Sequence, residues 1–290
     1  MQCETWWEEE GGGGWPFYPT GGGGGGGYPP APPPCTTNFT NNFSIPGTNN
    51  VVPINPCPPI NNSWPPVPPP PPFCDPFVDA LSANTNFVNV FHWLNTSGPN
   101  QPLGLNYEVG VEIRDVNQYN NSNYITKYGA PDTKTVDFYL QANTLQAGFL
   151  HSHYSGLNSM FTADDIILLA TTFMTNHAKD TNNLFMGLTS SYSTPFIMKV
   201  GNVAKFRQFC TKIVGANGLD SLKKEDFKDK YDRKVDSYDP DANEKAFLEM
   251  FKEYGGEDGL NLLSGNIACN QWTKRRIDNF GAVKNVPSCN

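Results

Sequence analysis

The chain has 290 residues, a formal net charge of −8 and an isoelectric point near 5.0. This acidic balance argues against a general nucleic-acid-binding protein, which needs a basic patch, and the one basic cluster, Lys274-Arg275-Arg276, is too short to provide it. No run of about 20 apolar residues is present, so no membrane span is predicted.

The first quarter of the chain has the composition of a flexible tail. Residues 1–74 contain glycine runs at 11–14 and 21–27, and a proline block from Pro65 to Pro72 that only Val67 interrupts. Such a composition buries too little apolar surface to offset chain entropy, so we predict a disordered Gly/Pro/Asn-rich tail over 1–74. Residues 75–290 are enough for one packed core. We assign 75–215 to the main folded domain and 216–290 to a C-terminal extension packed on it.

The cysteines exclude one kind of metal site. None of the seven cysteines forms a C-x-x-C pair, so a cysteine-based zinc knuckle is not expected, and their wide spacing neither requires nor excludes disulfides. The low charge and the Gly, Pro, Asn, Ser and Thr enrichment favour an extracellular or cell-surface protein. No signal peptide is visible after Met1. If the protein is exported, we therefore expect the chain to be the C-terminal part of a longer product. The alternative is a cytoplasmic protein.

The ordered part is predicted to begin with helix and strand. Apolar residues at near-helical spacing predict one or two helices across 76–95, in which His92 is a satisfied or surface residue, and residues 95–106 form a loop. Strict alternation over 107–113 predicts a strand. Its apolar face carries Tyr107, Val109, Val111 and Ile113, and its other face carries Glu108, Gly110 and Glu112. Two carboxylates beside a glycine, which leaves room above the strand, predict the floor of a cleft.

The centre of the chain combines a strand with a capped helix. We predict a short strand at 124–127, a strand at 135–140 and a strand at 146–152 that delivers His151 and His153. Because alternate residues of a strand face the same side, both imidazoles point in one direction. Thr162 is a good N-cap for the helix that follows, with Asp165 at its third position. His177, beyond that helix, is predicted to be surface decoration.

The remaining elements complete an α+β pattern: paired strands at 184–188 and 196–200, a helix from Val203 to Ile213, a solvated helix or connector over 220–238, a helix at 241–254, and short strands at 259–263, 273–277 and 282–286. We therefore predict a mixed sheet flanked by helices.

Two imidazoles and a carboxylate on the first turn of the next helix can bind a divalent metal and leave a fourth position for water, as in a hydrolytic zinc centre. Asp164 competes with Asp165 for the ligand role if the preceding loop shifts the register. Other hydrolase patterns are absent: no H-E-x-x-H, no G-x-S-x-G elbow, and no deaminase P-C-x-x-C.

The two patches together resemble the JAB/MPN (JAMM) zinc metalloproteases over roughly residues 107–200. The pattern of that family is a glutamate on an early strand, then His-Ser/Thr-His, seven residues, Ser, two residues and Asp. Glu108-Val109-Gly110-Val111, His151-Ser152-His153 and Thr162-x-x-Asp165 follow it. Three differences stand out: the spacer 154–161 has eight residues, Thr162 replaces serine, and Tyr154 stands where proline is common.

The resemblance implies a JAB/MPN-like, cytidine-deaminase-like domain in which His151, His153 and Asp165 bind Zn²⁺. It also implies that Glu108 takes a proton from water and passes it to the leaving amine, while Thr162 Oγ1 donates to the oxyanion. Strand parity does not separate Glu108 from Glu112, although the family's Glu-x-Gly-x order favours Glu108.

The function implied is a zinc-dependent metallopeptidase or isopeptidase acting on a peptide or protein conjugate, since members of the family cut ubiquitin-like or small peptide conjugates. The alternative is a catalytically degenerate JAB/MPN-like binding or cell-surface module with the low-complexity tail as a spacer. The sequence identifies neither the substrate nor the oligomeric state.

Overall fold

The computed structural model describes residues 74–237 and 239–286, so the disordered tail predicted for 1–74 lies outside the described residues apart from Cys74. The described chain is an α+β fold with an eight-stranded mixed sheet and six α-helices, as predicted. The helices are α1 Pro76–Ala83, α2 Thr85–Leu94, α3 Ala163–Met174, α4 Val203–Ile213, α5 Ser221–Asp232 and α6 Pro240–Glu253. The strands are β1 Val109–Ile113, β2 Tyr124–Tyr128, β3 Gly148–His153, β4 Phe185–Ser190, β5 Ser193–Val200, β6 Leu260–Gly265, β7 Trp272–Ile277 and β8 Val283–Asn285.

The sheet is covered by helices on both faces. Its order is β2-β1-β3-β4-β5-β6-β7-β8, and β6 to β8, which belong to the predicted C-terminal extension, continue the sheet beside β5. On one face Val109, Val111 and Leu150 pack with α1 and α2. On the other face Phe149 and Met186 pack with the four later helices. Burial on both sides explains why the central strands read as nearly continuous apolar runs.

One pair of neighbouring strands sets the position of the candidate site. β3 and β4 are parallel, whereas every other neighbouring pair in the described sheet is antiparallel. Parallel strands need a crossover connection, which α3 supplies. The chain therefore leaves the carboxyl end of β3 at His153, turns through residues 154–162 and begins α3 beside that end. The carboxyl end of β3 and the amino end of α3 are brought together in this way.

The prediction of a strand at 135–140 is wrong. This segment has no ladder partner and instead lies over the β1 face that carries Gly110. The Phe138 ring packs 5.2 Å from the Phe149 ring, centroid to centroid, and 6.5 Å from the His151 ring. Alternation in the sequence reflected burial of one side of an extended segment, not pairing in a sheet. The space above Gly110 is thus occupied by Phe138, and the predicted cleft floor is covered at this point.

Replacing Gly110 with alanine tests this packing. An added Cβ would lie 2.4 Å from Phe138 Cζ and 3.1 Å from Val136 Cγ1, so the segment has to move. We expect a loss of about 1–3 kcal/mol of unfolding free energy, as for other overpacked positions, measured by urea denaturation. In the background Phe138→Ala, the same substitution should cost much less, because the clashing ring is gone. Equal costs in the two backgrounds would contradict the placement of Phe138.

The charged segment predicted as a solvated helix or connector over 220–238 is largely helix α5, and one side of it is buried. Phe227 is 2% exposed and Tyr231 is 1% exposed, and both belong to the core under α3 and α6. The Tyr231 hydroxyl donates to the Phe161 carbonyl at 2.6 Å. This contact ties α5 to the loop between β3 and α3.

In the described part of the chain, no helix is both long and apolar enough to cross a membrane.

Candidate metal centre

β3 delivers its two histidines to the face of the sheet that α3 covers. His151 is opposite Gly110 of β1 in the antiparallel ladder, so both point to the α3 side. Ser152, between the histidines, faces the other way. Its hydroxyl accepts from Val109 N at 3.2 Å and donates to Val109 O at 3.3 Å. The intervening serine thereby fastens the end of β3 to β1 and fixes the direction of its neighbours.

A capping box places the third candidate ligand. Thr162 is the N-cap of α3, and its hydroxyl accepts from the Asp165 N–H at 3.3 Å. In return Asp165 Oδ2 accepts from the Thr162 N–H at 2.7 Å and from the Thr162 hydroxyl at 2.9 Å. The carboxylate is held by both donors, with Oδ1 3.3 Å from His151 Nε2 and Oδ2 3.9 Å from His153 Nε2. In this arrangement the Thr162 hydroxyl proton is directed to Asp165.

The three candidate ligands converge closely. Nε2 of His151 lies 3.2 Å from Nε2 of His153 and 3.3 Å from Oδ1 of Asp165, and all three ligand atoms lie within 4.8 Å of one another. Two nitrogen ligands on a tetrahedral zinc ion, with Zn–N bonds of about 2.0–2.1 Å, are separated by about 3.3 Å. The donor set and its spacing therefore fit a divalent metal ion such as zinc.

The tautomer of His153 suits metal binding. Its Nδ1 lies 2.7 Å from the Asn158 carbonyl oxygen, which only accepts, so the proton is on Nδ1 and the Nε2 lone pair faces His151 and the other candidate ligands. Burial, reinforced by the charge of His151, lowers the pKa of His153 to about 4. A neutral imidazole with a free Nε2 is the form that binds a metal. Nδ1 of His151 is buried, and the ring interacts with the Gly187 backbone.

The pKa values of the two carboxylates at the centre, Asp165 and Glu108, are shifted in opposite directions. Burial opposes ionisation of Asp165, but His151 and the other donors prevail and lower its pKa to about 2. Burial raises the pKa of Glu108 to about 8, and the charge on Asp165 adds to that effect. For His151, burial opposes protonation, yet the facing carboxylates Asp165 and Glu108 raise its pKa. Asp165 and His151 therefore stabilise each other's charged forms.

The open alternatives of the sequence are separated by distance. Glu108 Oε1 lies 3.5 Å from His153 Nε2, whereas Glu112 lies 3.6 Å from Lys127 Nζ further along β1. Asp164 points to solvent, where its carboxylate pairs with Lys228. The structure therefore brings Glu108 and Asp165, rather than Glu112 and Asp164, to the two histidines.

The other two histidines lie elsewhere, as expected for surface or satisfied residues. Nδ1 of His92 is 3.3 Å from the Ile267 carbonyl, and Nδ1 of His177 is 2.8 Å from the Thr175 hydroxyl. Among the residues that the structure describes, His151, His153 and Asp165 form the one group of three histidine, cysteine or acidic ligands with a spacing suited to a metal ion.

The centre opens into a cleft of about 600 Å³. Glu108, His153 and Thr162 line its floor, while His151 and Asp165 are not among the lining residues. Its remaining walls come from the loops before and after the centre and from the end of α5, through Lys134, Gly156, Leu157, Asn158, Ser159, Tyr192, Asp232, Val235, Asp236 and Ser237. Of the candidate site residues, Glu108, His153 and Thr162 are therefore the ones that face a ligand in this cleft.

Sequence reasoning missed two asparagines that hold the loop between β3 and α3. Asn158 accepts from His153, and its side chain contacts Asn243 of α6, 85 residues away. One signal for Asn243 was present: it is four residues before Phe247 and seven before Met250, on the buried side of α6. A polar residue at an apolar stripe position needs a buried partner.

No family model, curated protein or solved structure matches the chain.

Proposed function

We propose that the protein is a zinc-dependent metallopeptidase or isopeptidase of the JAB/MPN type, which hydrolyses a peptide or isopeptide bond. The observation that carries the proposal is the convergence of His151 Nε2, His153 Nε2 and the Asp165 carboxylate beside Glu108, with His153 and Glu108 lining a cleft. The order of these residues along the chain is that of the family described above. Two imidazoles and one carboxylate with an open fourth position are a ligand set found in catalytic zinc sites.

His151, His153 and Asp165 would hold the zinc ion. When bound, zinc would supply Lewis acidity, lowering the pKa of water, polarising the scissile carbonyl and favouring the ionised form of Glu108. Glu108 Oε1 then accepts the proton of the attacking water and returns it to the nitrogen of the leaving amine.

The test is metal analysis of the purified protein together with an assay on amide and isopeptide substrates. We expect about one zinc ion per chain and hydrolysis that a chelator abolishes and zinc restores. Protein that acquires no stoichiometric zinc even after incubation with the ion would overturn the proposal. Stoichiometric zinc without hydrolysis of any substrate would favour the degenerate binding module instead.

Thr162 has two possible roles, which one pair of variants separates. Its hydroxyl donates to Asp165 in the structure, whereas the family resemblance assigns that proton to the oxyanion. Thr162→Val should cost about 1 kcal/mol of unfolding free energy through loss of the cap and should weaken zinc binding, while Thr162→Ser should preserve both. Zinc affinity measured by chelator competition is the deciding quantity. Unchanged affinity in Thr162→Val with a large loss of kcat would assign the hydroxyl to the oxyanion.

We also propose an extracellular or cell-surface location, on the basis of the composition.

A further inference from the structure

We propose that Asn243, on α6, is a positioning residue of the metal centre, which acts through Asn158 to fix the orientation and tautomer of His153. The inference rests on the proposed function and assigns part of the site to a segment outside the region that resembles the JAB/MPN family. It follows from a chain of hydrogen bonds that leads from α6 to the imidazole.

The first link joins the metal ligand to the loop. His153 Nδ1 donates to the Asn158 carbonyl at 2.7 Å, and this bond determines which ring nitrogen is left for a metal. An outer partner of this kind fixes both the tautomer and the plane of a ligating histidine. The bond depends on where the Asn158 backbone lies, so whatever holds Asn158 also holds the ring.

The second link is the Asn158 side chain, whose three polar contacts leave it no freedom. Its Nδ2 donates to the Val235 carbonyl at 2.6 Å, just beyond α5. Its Oδ1 accepts from the Met160 N–H and from Asn243 Nδ2, both at 2.9 Å. One of these contacts is inside the loop, and the other two come from the C-terminal part of the chain.

The third link is Asn243, which is completely buried. Its Oδ1 accepts from the Ser237 N–H at 2.9 Å, and its Nδ2 contacts the Ser237 carbonyl at 2.6 Å and Ser159 Oγ at 3.3 Å, besides Asn158. A buried amide with all its groups paired specifies a single geometry. Asn243 therefore joins the loop that follows the histidines to the connection between α5 and α6.

The loop itself explains why such an anchor is needed. Between His153 and Thr162 it has eight residues, including Gly156 with φ of +101°, and its tip at Gly156 has no neighbouring atoms where a Cβ would lie. A loop of this length samples several conformations when nothing outside it holds it. The contacts from α6 select the one in which the Asn158 carbonyl faces His153.

The experiment compares three variants of the full chain. Asn243→Leu removes the amide at similar volume, and Asn158→Ala keeps the backbone carbonyl but removes the anchor. Tyr231→Phe is the matched control, because it deletes another buried hydrogen bond to the same loop, at Phe161, without touching Asn158. For each protein we would measure the Co²⁺ dissociation constant from its visible absorption, the unfolding midpoint, and the His153 tautomer by ¹⁵N NMR of the metal-free form.

We expect Co²⁺ binding to weaken about 10–100-fold in Asn243→Leu and Asn158→Ala, with a second His153 tautomer, and to change little in Tyr231→Phe. Wild-type affinity and a single Nδ1–H tautomer in both asparagine variants would overturn the inference and leave the proposed function intact. If Asn243→Leu does not fold, Asn158→Ala decides alone. If the wild type binds no Co²⁺ or Zn²⁺, the proposed function fails, and the metal-free tautomer still tests the link from Asn243 to His153.

Discussion

Replacing Glu108 with glutamine should abolish amide hydrolysis while zinc content stays unchanged. Glutamine keeps the size of the side chain but cannot accept and return a proton, and general acid–base catalysis contributes about 10²–10⁴-fold to such rates. Since Glu108 is not one of the three ligands, the metal should remain bound. The measurement is kcat on an amide substrate, with zinc quantified in the same sample, and we expect kcat to fall by at least about 10²-fold.

Glu112 offers a matched control for this prediction. It lies on the same face of β1, is equally buried and differs in its neighbour, which is Lys127. Glu112→Gln should retain most of the activity. If Glu112→Gln is the inactive variant and Glu108→Gln is active, the assignment of the base is wrong. If neither affects hydrolysis, any activity observed does not arise at this centre.

Removing a ligand should abolish the stabilisation that zinc confers. A ligand that binds only the folded state at 100 times its Kd adds about 2.7 kcal/mol to the free energy of unfolding. We expect this zinc-dependent gain in the wild type and its loss in His151→Ala and Asp165→Asn. The comparison is the unfolding midpoint of each protein with zinc and with chelator, so that any change in metal-free stability cancels.

Two residues away from the centre, one half-buried and one exposed, supply the controls for the ligand variants. His177→Ala removes an imidazole that lies beyond α3, and Asp164→Asn removes the acidic neighbour that faces Lys228. Both should keep the full zinc-dependent shift. A shift that survives in His151→Ala, or that disappears in His177→Ala, would show that zinc binds somewhere other than the proposed centre.

Local signals were strong where short-range chemistry determines the structure. The alternation over β1 placed Glu108 and Gly110 on one face, and the Thr162 and Asp165 pair marked the start of α3, since both patterns arise within a few residues. The two histidines were placed on one face for the same reason. Periodicity does not distinguish Glu108 from Glu112, because both lie on the same face. The choice depends on which end of β1 lies beside His153.

The sequence-based predictions failed where contacts between residues distant in sequence determine the structure. The alternation over 135–140 has the period of a strand, but both edges of β1 are already paired, with β2 and β3, so the segment packs over the sheet instead. The role of Asn243 depends on a contact with a loop 85 residues earlier. Composition made α5 look solvated, although Phe227 and Tyr231 bury one side of it.

The span of the Asn243–Asn158 contact also bears on the order of folding. On the proposal that Asn243 positions His153, the geometry of the two histidines is completed when α6 docks, and docking closes a long loop at an entropic cost. We therefore expect the donors to reach that geometry late in folding. Metal uptake during refolding should therefore follow the burial of the core, so that a chelating dye reports the final step of folding rather than collapse.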